Sequence, residues 1–591
     1  MNRRSKTKSG IGDICVNPGN SKSTKTSNPK KIAESEIFSE YFASVWTEEP
    51  PGELPVFMER NVSHSMPEII INEDVVLQKL KALNASKSPD SDGVHPFILK
   101  NLAEELVLPI TAIYKVSLDE KKLPIRWKNS SITVIYKKGD KSLAGNYRPV
   151  SLTSILCKIL ETIIRENMME HMLKNNLFTN KQYGFISGRS AALQLLKIMD
   201  EWTESLDNGT NIDAVYMDYQ KAFDTVPHRR LMLKIKAYRF TPSIVAWLED
   251  FLSERKQVVN IKGERSRSKQ IKSGIPQGSV LGPLMFLLFV NELPELVNSF
   301  LYLFADDNKI WRRIEHSKDK ETLQADLDII YQWSKTWLMR IHPDKSAHMR
   351  IGEEMENPHF EYSVGTSAVK YSRLEKDIGV EIDTKLSFDD HINNKAKKAN
   401  MMSGWIRRSF QFMNKEIFNL LYKALVRHHL EYCSSVWSPH LQKHVDKIEE
   451  VQIRATKMVP ELKHKPYQER LQMLNLPTLT FRRLRGDMIE MYKIMHGLYH
   501  KDCCPRLVTM KDKTGRTGRH SLYLYQERSN SDKRKYSFTQ RAVTAWNTLT
   551  EHVISAPNVN VFKNRLDKYW KDEPMKTNYR EPLQKVRITR K

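Results

Sequence analysis

Apolar and polar positions along the chain follow two different periods. From residue 73 to residue 83 apolar side chains recur at helical spacing, and the stretch 88–93, which contains Pro and Gly, ends that pattern. Between residues 130 and 390, short β-prone runs alternate with longer stretches of helical period. The predicted strands are 131–136, 213–218, 257–262 and 300–305, and the predicted helices are 151–174, 191–206, 279–291 and 320–340. This alternation predicts a mixed core of helices and strands.

Beyond residue 390 the pattern is almost entirely helical. Helical spacing covers 392–433 and 441–458, Leu476-Pro477 interrupts it, and residues 536–549 form one further amphipathic segment. Residues 1–31 differ, because they are rich in Ser, Thr, Asn and Lys with almost no large apolar side chain, and we predict that they are disordered. The pattern thus predicts a basic tail, a mixed core and a helical C-terminal part.

The charge of the chain is strongly basic and unevenly distributed. It has 94 Lys and Arg against 70 Asp and Glu, a formal net charge of +24. Residues 501–591 hold 21 basic and nine acidic side chains, a difference of +12, so half of the excess lies there. Because phosphate neutralisation by Lys and Arg supplies most sequence-independent affinity for nucleic acids, this charge favours a nucleic-acid partner.

Targeting and redox features are sparse. The longest apolar run, 284–290, is far below the roughly 20 residues that span a bilayer, and no apolar signal segment follows the basic N-terminus. Five cysteines are scattered without the spacing of a zinc site or a disulfide framework. These features predict an intracellular protein with no membrane partner.

Two apolar β-prone runs end in carboxylates. Residues 214–217 lead directly into Asp218, and residues 301–305 lead into Asp306 and Asp307. Such charges are costly at the ends of buried strands unless they are paired or bind a metal. If the two strands are neighbours, Asp218 and Asp306 can share two divalent cations, preferably Mg²⁺, in the arrangement used for phosphoryl transfer. The alternative is that each Asp is an ordinary turn or cap residue.

Two further segments carry candidate nucleotide contacts. The loop 273–283 contains several Gly and Pro residues around Gln277 and opens a long apolar helix, so backbone and an amide could approach a flat ligand closely. A simple strand-to-helix turn would have the same composition. The runs 135–140 and 146–150 place Lys137 and Arg148 on predicted strands and loops, where they could hold a triphosphate. Exposed charges around a hairpin are the alternative interpretation.

The order of these motifs resembles that of a reverse transcriptase, specifically the type encoded by non-LTR retrotransposons, with jockey-like elements as the nearest similarity. Nine segments carry the resemblance, among them Phe304-Ala305-Asp306-Asp307. They are 86–93, 137–140, 146–152, 182–190, 218–224, 274–279, 304–307, 337–345 and 378–380. A weaker similarity continues through 430–437 and 454–456 to 540–547.

The resemblance implies an α+β fold, a right-hand polymerase of fingers, palm and thumb with a largely helical C-terminal extension. It implies these regions after the tail at 1–31: an N-terminal helical region with the first motif at 32–117, fingers and palm at 118–385, thumb-like helices at 386–460, and a basic C-terminal region at 461–591.

The same resemblance implies roles for individual residues. Asp218 and Asp306 look like the metal ligands of the palm, and Asp307 looks like the second acid of the turn, which supports the metal site. Phe223 resembles a steric gate that excludes a ribose 2′-OH, and Lys345 is the candidate acid for the leaving pyrophosphate. The family's other nucleotide contacts fall on Gln277, Gly278, Lys137 and Arg148.

The implied activity is RNA-directed DNA synthesis with an RNA template, a DNA primer, deoxynucleoside triphosphates and two Mg²⁺ ions. We expect the protein to act in a ribonucleoprotein in the nucleus, the cytoplasm or both. In such elements an endonuclease domain normally precedes the polymerase, and only 85 residues precede the first motif here. We therefore expect the endonuclease to be separate or missing.

Two other functional hypotheses remain open at the level of sequence. The chain could be a catalytically silent or domesticated element remnant that only binds RNA or DNA. It could also be an intron-encoded maturase or a telomerase-like enzyme, although residues 515–575 resemble the tails of retrotransposon frames instead.

The basic C-terminal region suggests a separate hypothesis about RNA. Lys533-Arg534-Lys535 precedes Tyr536, and Trp546 and Trp570 follow within the same region. Cations interspersed with aromatic side chains suit phosphate contacts and base stacking on single-stranded RNA. A solvated basic surface with its aromatic side chains in a core is the alternative.

Overall fold

The computed structural model describes residues 34–90, 92–352, 360–516 and 518–584. The predicted disorder of residues 1–31 lies outside the described residues. Helices of the described part are α1 (Glu34–Ser44), α2 (Glu73–Lys81), α3 (Pro96–Asn101), α4 (Ala103–Asp119), α5 (Ile155–Lys174), α6 (Ala191–Asp207), α7 (Ala222–Thr225), α8 (His228–Ala237), α9 (Pro242–Leu252), α10 (Gly282–Val290), α11 (Ser317–Thr336), α12 (Asp389–Ser409), α13 (Lys415–Leu421), α14 (Arg427–Glu431), α15 (Ser434–Trp437), α16 (Gln442–Thr456), α17 (Tyr467–Leu474), α18 (Leu479–Met495), α19 (Met510–Thr514), α20 (Asp532–Lys535), α21 (Phe538–Trp546), α22 (Glu551–Ile554) and α23 (Val559–Tyr569).

The strands are concentrated between residues 129 and 383. They are β1 (Asn129–Tyr136), β2 (Tyr147–Leu152), β3 (Asn211–Met217), β4 (Lys256–Ile261), β5 (Glu264–Arg265), β6 (Lys269–Gln270), β7 (Phe300–Phe304), β8 (Asp307–Ile314), β9 (Ala347–Ile351), β10 (Ser363–Val364), β11 (Ser367–Ala368), β12 (Lys370–Tyr371), β13 (Leu374–Asp377) and β14 (Val380–Asp383). Helices and strands are mixed along the chain, and the fold class is α+β.

Most of the predicted elements are present. The four predicted strands correspond to β1, β3, β4 and β7, and the helix predicted at 191–206 is α6. The helix predicted at 151–174 begins later, at Ile155, because residues 147–152 form strand β2 and pair with β1 in antiparallel register. Local helical spacing could not reveal this pairing.

The chain folds as two compact units, each assembled from several chain segments. The first unit comprises Met1–Thr179, Asp218–Leu296 and Asp328–His342, and the second comprises Asn180–Met217, Val297–Leu327 and Pro343–Lys591.

The first unit contains a sheet of strand order β2-β1-β4-β5, with β6 also paired to β4. Strand β1 is antiparallel to β2 and parallel to β4. Helix α10 is apolar on all sides, and every residue except Pro283 is buried, as expected for a helix surrounded by protein. A small core cluster joins α1 to this sheet through Phe38, Tyr147 and Val259.

The second unit contains a five-stranded sheet of order β12-β9-β3-β8-β7. Strand β3 is central, antiparallel to both β8 and β9, and its residues 212–215 are buried on both faces. Trp202 of α6 packs edge-on against Trp311 of β8, with ring centroids 6.2 Å apart.

The core of the second unit continues from this sheet into the C-terminal helices. Trp546 and Trp570 belong to the same cluster of buried side chains as Trp202 and Trp311, and neither is accessible to solvent. The prediction that Trp546 and Trp570 stack on RNA is therefore wrong. Both side chains stabilise the fold, and the described C-terminal residues form part of the second unit's core.

Within the described part of the chain, every helix is too short or too polar to cross a bilayer.

Candidate active site

The paired carboxylates lie where β7 turns into β8. Phe304 pairs with Asp307, so Ala305 and Asp306 form a two-residue turn. Ala305 takes the left-handed conformation with φ of +57°. Asp306 is half-buried and Asp307 is exposed. The expectation that both carboxylates lie in the turn is correct for Asp306 alone, because Asp307 is the first residue of strand β8.

The side chain of Gln182 holds this turn in place. Its Oε1 accepts hydrogen bonds from the backbone N–H of Ala305 (3.0 Å) and of Gly184 (2.8 Å). A Cβ at Gly184 would lie only 2.7 Å from the backbone nitrogen of Ala305, so the close approach requires glycine. Gln182 thereby fixes the conformation on which the orientation of Asp306 depends.

Strand β3 leads directly to Asp218, as the apolar run in the sequence indicated. Met217, the last residue of β3, pairs with Asn308 in β8, the residue after Asp307. Asp218 follows Met217 directly in the chain and is half-buried. Its carbonyl accepts a hydrogen bond of 2.7 Å from the backbone N–H of His342. Strands β3 and β7, which lead to Asp218 and Asp306, are not direct neighbours, because β8 lies between them and pairs with both.

Gln277 is anchored to Asp224 within the first unit. The Gln277 Nε2 donates a 2.7 Å hydrogen bond to Asp224 Oδ1. Ser273 Oγ donates to the Asp224 carbonyl at 2.9 Å, and Gly274, with φ of +89°, packs so closely that a Cβ would lie 2.6 Å from that carbonyl oxygen. Burial raises the pKa of the Asp224 carboxyl, which its hydrogen bond from Gln277 opposes.

The other side of the same loop lies against strand β2. The Ser151 N–H donates to the carbonyl of Gln277 at 2.7 Å. A Cβ on Gly278 would lie 2.4 Å from the Ser151 carbonyl oxygen, and Gly278 has φ of +130°. Only glycine fits this position without displacing the loop.

A buried carboxylate fixes the point where the loop becomes helix α10. Glu161 of α5 is inaccessible to solvent, and its Oε2 accepts hydrogen bonds from Val280 N (2.6 Å) and Leu281 N (3.0 Å). Burial raises the pKa of Glu161, whereas these backbone donors lower it. Glu161 satisfies N–H groups at a helix start that would otherwise lack partners.

Lys137 and Arg148 both belong to the β1–β2 hairpin. Arg148 pairs with Ile135, and Lys137 directly follows Tyr136, the last residue of β1. Both cations are exposed. The hairpin thus carries two exposed positive charges in the first unit, and their contact with a triphosphate stays a prediction.

Phe223 is held by an aromatic contact. Its ring, in the short helix α7, stacks on that of Phe286 in α10 with centroids 4.5 Å apart and planes inclined by 17°. The residue is half-buried, so the packing fixes the ring while part of it remains accessible.

Lys345, in contrast, lies exposed at the end of a single 3₁₀ turn, Pro343–Lys345, in the second unit.

The carboxylates fit a divalent cation through their chemistry. Among the described residues, no three His, Cys, Asp or Glu side chains form a group that could hold a metal ion by themselves. Asp218, Asp306 and Asp307 offer hard carboxylate oxygens, and Mg²⁺ is usually held by one or two carboxylates together with substrate phosphates. Each of these carboxylates therefore offers the type of ligand that such a cation takes.

Comparison with known proteins identifies the region that carries these residues. Residues 135–387 match the family "Reverse transcriptase (RNA-dependent DNA polymerase)". This segment includes every candidate catalytic and nucleotide-binding residue described above.

Individual relatives extend the similarity beyond this segment. The chain is 25% identical over 427 residues to a Drosophila melanogaster protein named "Probable RNA-directed DNA polymerase from transposon BS", with 68% of this chain and 46% of the relative covered. It is 26% identical over 419 residues to the "RNA-directed DNA polymerase from mobile element jockey" of the same organism, with 68% and 45% covered. The chain thus spans less than half the length of these relatives. Residues 135–387 are thus similar to reverse transcriptases, and the resemblance of the chain to the polymerases of jockey-like non-LTR retrotransposons is confirmed.

Proposed function

We propose that the protein is the RNA-directed DNA polymerase of a non-LTR retrotransposon. In this proposal it copies an RNA template by extending a DNA primer with deoxynucleoside triphosphates. The observation that carries the proposal is the register of β3 with β8, in which Met217 pairs with Asn308, within a segment that matches reverse transcriptases. That register supports a common role for Asp218, which follows Met217, and for the two carboxylates before Asn308. These two are Asp306 and Asp307.

The polymerase reaction breaks a phosphoanhydride bond of the nucleotide and forms a phosphodiester bond to the primer. The 3′-oxygen of the primer attacks the α-phosphorus of the nucleotide, the bond to pyrophosphate breaks, and the primer oxygen loses its proton. Asp218, Asp306 and Asp307 would hold two Mg²⁺ ions, which supply charge stabilisation for both the attacking and the leaving oxygens. Lys345 would donate a proton to the departing pyrophosphate.

The remaining candidate residues position the nucleotide. Lys137 and Arg148 would contact its triphosphate, because two exposed cations of one hairpin suit a polyanion. Gln277 and Gly278 would lie beneath the base and sugar, held there by Asp224 and Ser151. Phe223 would exclude a ribose 2′-OH.

The architectural assignment follows the same proposal. Residues 32–117 would form an N-terminal helical region, 118–385 the fingers and palm, 386–460 the thumb-like helices, and 461–591 the basic C-terminal region. We place the protein in a ribonucleoprotein in the nucleus or the cytoplasm.

The test is primer extension on an annealed RNA template with purified full chain. Asp218→Ala and Asp306→Ala should each reduce extension by at least about a thousandfold, because losing a metal ligand removes several kcal/mol of charge stabilisation. The matched control is Asp390→Ala, which removes an exposed carboxylate from helix α12 and should leave extension unchanged.

Near-parental extension by either palm variant would refute the assignment of that carboxylate. If the parental chain binds template and primer but extends nothing under any divalent cation, the silent element remnant becomes the better interpretation.

A further inference from the structure

A pocket in the second unit lies among residues that have no role in the proposed polymerase reaction. It is a cavity of about 70 Å³ between α6, the turn before α12, the segment after α15, and helices α20 and α21. Leu196, Met199 and Trp437 contribute apolar walls. One water needs roughly 10–15 Å³ of such space, so the cavity holds about five waters, the bulk of one planar heterocycle.

One wall of this pocket is an aromatic stack. The rings of His440 and Tyr536 lie 4.4 Å apart and are nearly parallel, with planes inclined by 6°. Both residues are exposed, Tyr536 by 36%. Burial lowers the pKa of His440, which favours the neutral imidazole. A flat, partly accessible stack is a surface on which a further aromatic ring can pack.

Cations accompany the stack. Lys533 lines the pocket and is exposed, and the ammonium of Lys535 lies 5.4 Å from the centroid of the Tyr536 ring. Asp532 is the one exposed acid of the same short helix. The combination of an aromatic surface with flanking lysines matches the requirements of a nucleotide, whose base stacks and whose phosphate needs a positive charge.

A buried carboxylate with hydrogen-bond partners lies in the wall of the pocket. Asp200, in its wall, accepts a hydrogen bond of 2.6 Å from Arg534 Nη1 and another of 2.6 Å from Thr539 Oγ1. All three side chains are buried. Arg534, which the sequence suggested as a phosphate contact, instead neutralises Asp200, so this acid does not repel an entering phosphate.

We propose that this pocket binds one nucleotide of a single-stranded nucleic acid, with the base against the His440–Tyr536 stack and a phosphate beside Lys533. RNA and DNA single strands share this chemistry. The site lies outside the candidate active site and does not depend on primer extension.

The test is binding of short unstructured oligonucleotides, one of RNA and one of DNA, measured by fluorescence anisotropy with the full chain. Truncation at residue 500 is unsuitable, since it would remove Trp546 and Trp570 from the core of the second unit. Tyr536→Ala should weaken binding about fivefold or more, because it removes one base stack. Tyr536→Phe keeps the ring and should bind within about twofold of the parent.

Lys533→Ala gives a second, independent readout. It should weaken binding and reduce the slope of log K against log salt by about 0.7, the value for one phosphate contact on a single strand. The matched control is Lys571→Ala, which removes an exposed lysine outside the pocket. In this variant, Tyr536→Ala should still weaken oligonucleotide binding.

Comparison of the RNA and DNA oligonucleotides identifies which nucleic acid the pocket binds. It is the one that binds more tightly and whose binding depends on Tyr536. If Tyr536→Ala, folded by circular dichroism, binds both oligonucleotides as tightly as the parent, the proposal is wrong. A chain that binds through Tyr536 without extending a primer would keep this proposal and refute the polymerase proposal.

Discussion

The amide of Gln277 donates a 2.7 Å hydrogen bond to the carboxylate of Asp224, although 53 residues separate them in the chain. The backbone carbonyl of Asp224 also accepts a hydrogen bond from Ser273 Oγ. Asp224 thereby holds two side chains, Ser273 and Gln277, of the loop that is proposed to lie beneath the nucleotide. Asp224 is thus a positioning residue for Gln277.

Loss of this hydrogen bond should impair use of the nucleotide. Asp224→Ala leaves the Gln277 amide without its acceptor, and a hydrogen bond to a charged group contributes about 1.5–3 kcal/mol. We expect kcat/KM for deoxynucleotides to fall about tenfold or more in steady-state primer extension. Asp224→Asn retains an acceptor oxygen and should lose less than about threefold. Equal losses in the two variants would show that the hydrogen bond is not what matters at this position.

Primer extension should require glycine at position 278, because a side chain there would clash with the backbone. Gly263, which also has a positive φ, has no such neighbour. Alanine at 278 would place its Cβ 2.4 Å from the Ser151 carbonyl oxygen, whereas Gly263, with φ of +89°, has nothing within 4 Å of the same position. Gly263→Ala therefore meets only backbone strain, about 1–2 kcal/mol. We expect Gly278→Ala to lower the melting temperature more and to reduce primer extension at least tenfold, about 1.4 kcal/mol in transition-state stabilisation. Extension by Gly278→Ala at the level of Gly263→Ala would contradict the close packing.

The carboxylates of the candidate site could be predicted from sequence because their signal is local. Asp218 and Asp306 each end an apolar run, and the strands that carry those runs are present as β3 and β7. Gln182 could not be recognised as the support of the Ala305 turn, since 123 residues separate them. Glu161, 119 residues from Val280, is equally invisible to a local pattern.

Trp546 shows a second limit of sequence reasoning. An aromatic side chain in a basic segment has the same local composition whether it stacks on RNA or fills a core, and only the tertiary fold shows that Trp546 is buried. Tyr536, ten residues earlier, is exposed in the same region. Burial, and hence function, differs between neighbouring aromatic residues for reasons set by distant packing partners.

His391 should make the second unit sensitive to acid. Its Nδ1 accepts the Glu381 N–H at 3.0 Å, and its ring lies against Trp437. Burial, reinforced by Lys395 and Lys398, lowers the pKa of His391 to about 3. The unfolded chain, with a pKa of about 6.5, binds a proton that the folded state excludes, so stability falls as the pH drops below about 6.5.

The size of this effect can be measured locally. Each pH unit between the two pKa values costs about 1.4 kcal/mol, so His391 should account for about 2 kcal/mol between about pH 7 and about pH 5. Hydrogen exchange of α12 measures the free energy of opening for this segment. His391→Gln stays neutral and keeps a hydrogen-bond acceptor. Between about pH 7 and about pH 5, its opening free energy should therefore fall by about 2 kcal/mol less than that of the parent. Identical declines would place the proton-sensitive group elsewhere.

Phe223 should determine the choice between deoxyribonucleotides and ribonucleotides. Its ring stacks on that of Phe286, with centroids 4.5 Å apart, and part of it remains accessible. Phe223→Val removes the bulk at that position. We expect the ratio of kcat/KM for ribonucleotides to that for deoxynucleotides to rise at least tenfold in competition assays, about 1.4 kcal/mol, while the rate with deoxynucleotides falls from lost packing.

The matched control for this gate is Phe286→Leu, which removes the stacking partner and leaves the ring of Phe223 in the chain. If Phe223 itself excludes the 2′-OH, the control should keep the parental selectivity within about threefold even though its melting temperature falls. A selectivity ratio unchanged in Phe223→Val would show that the ring is a packing residue of the α7–α10 contact only. A ratio that rises equally in both variants would instead assign the discrimination to the stacked pair, because either substitution would then release the same constraint on the sugar.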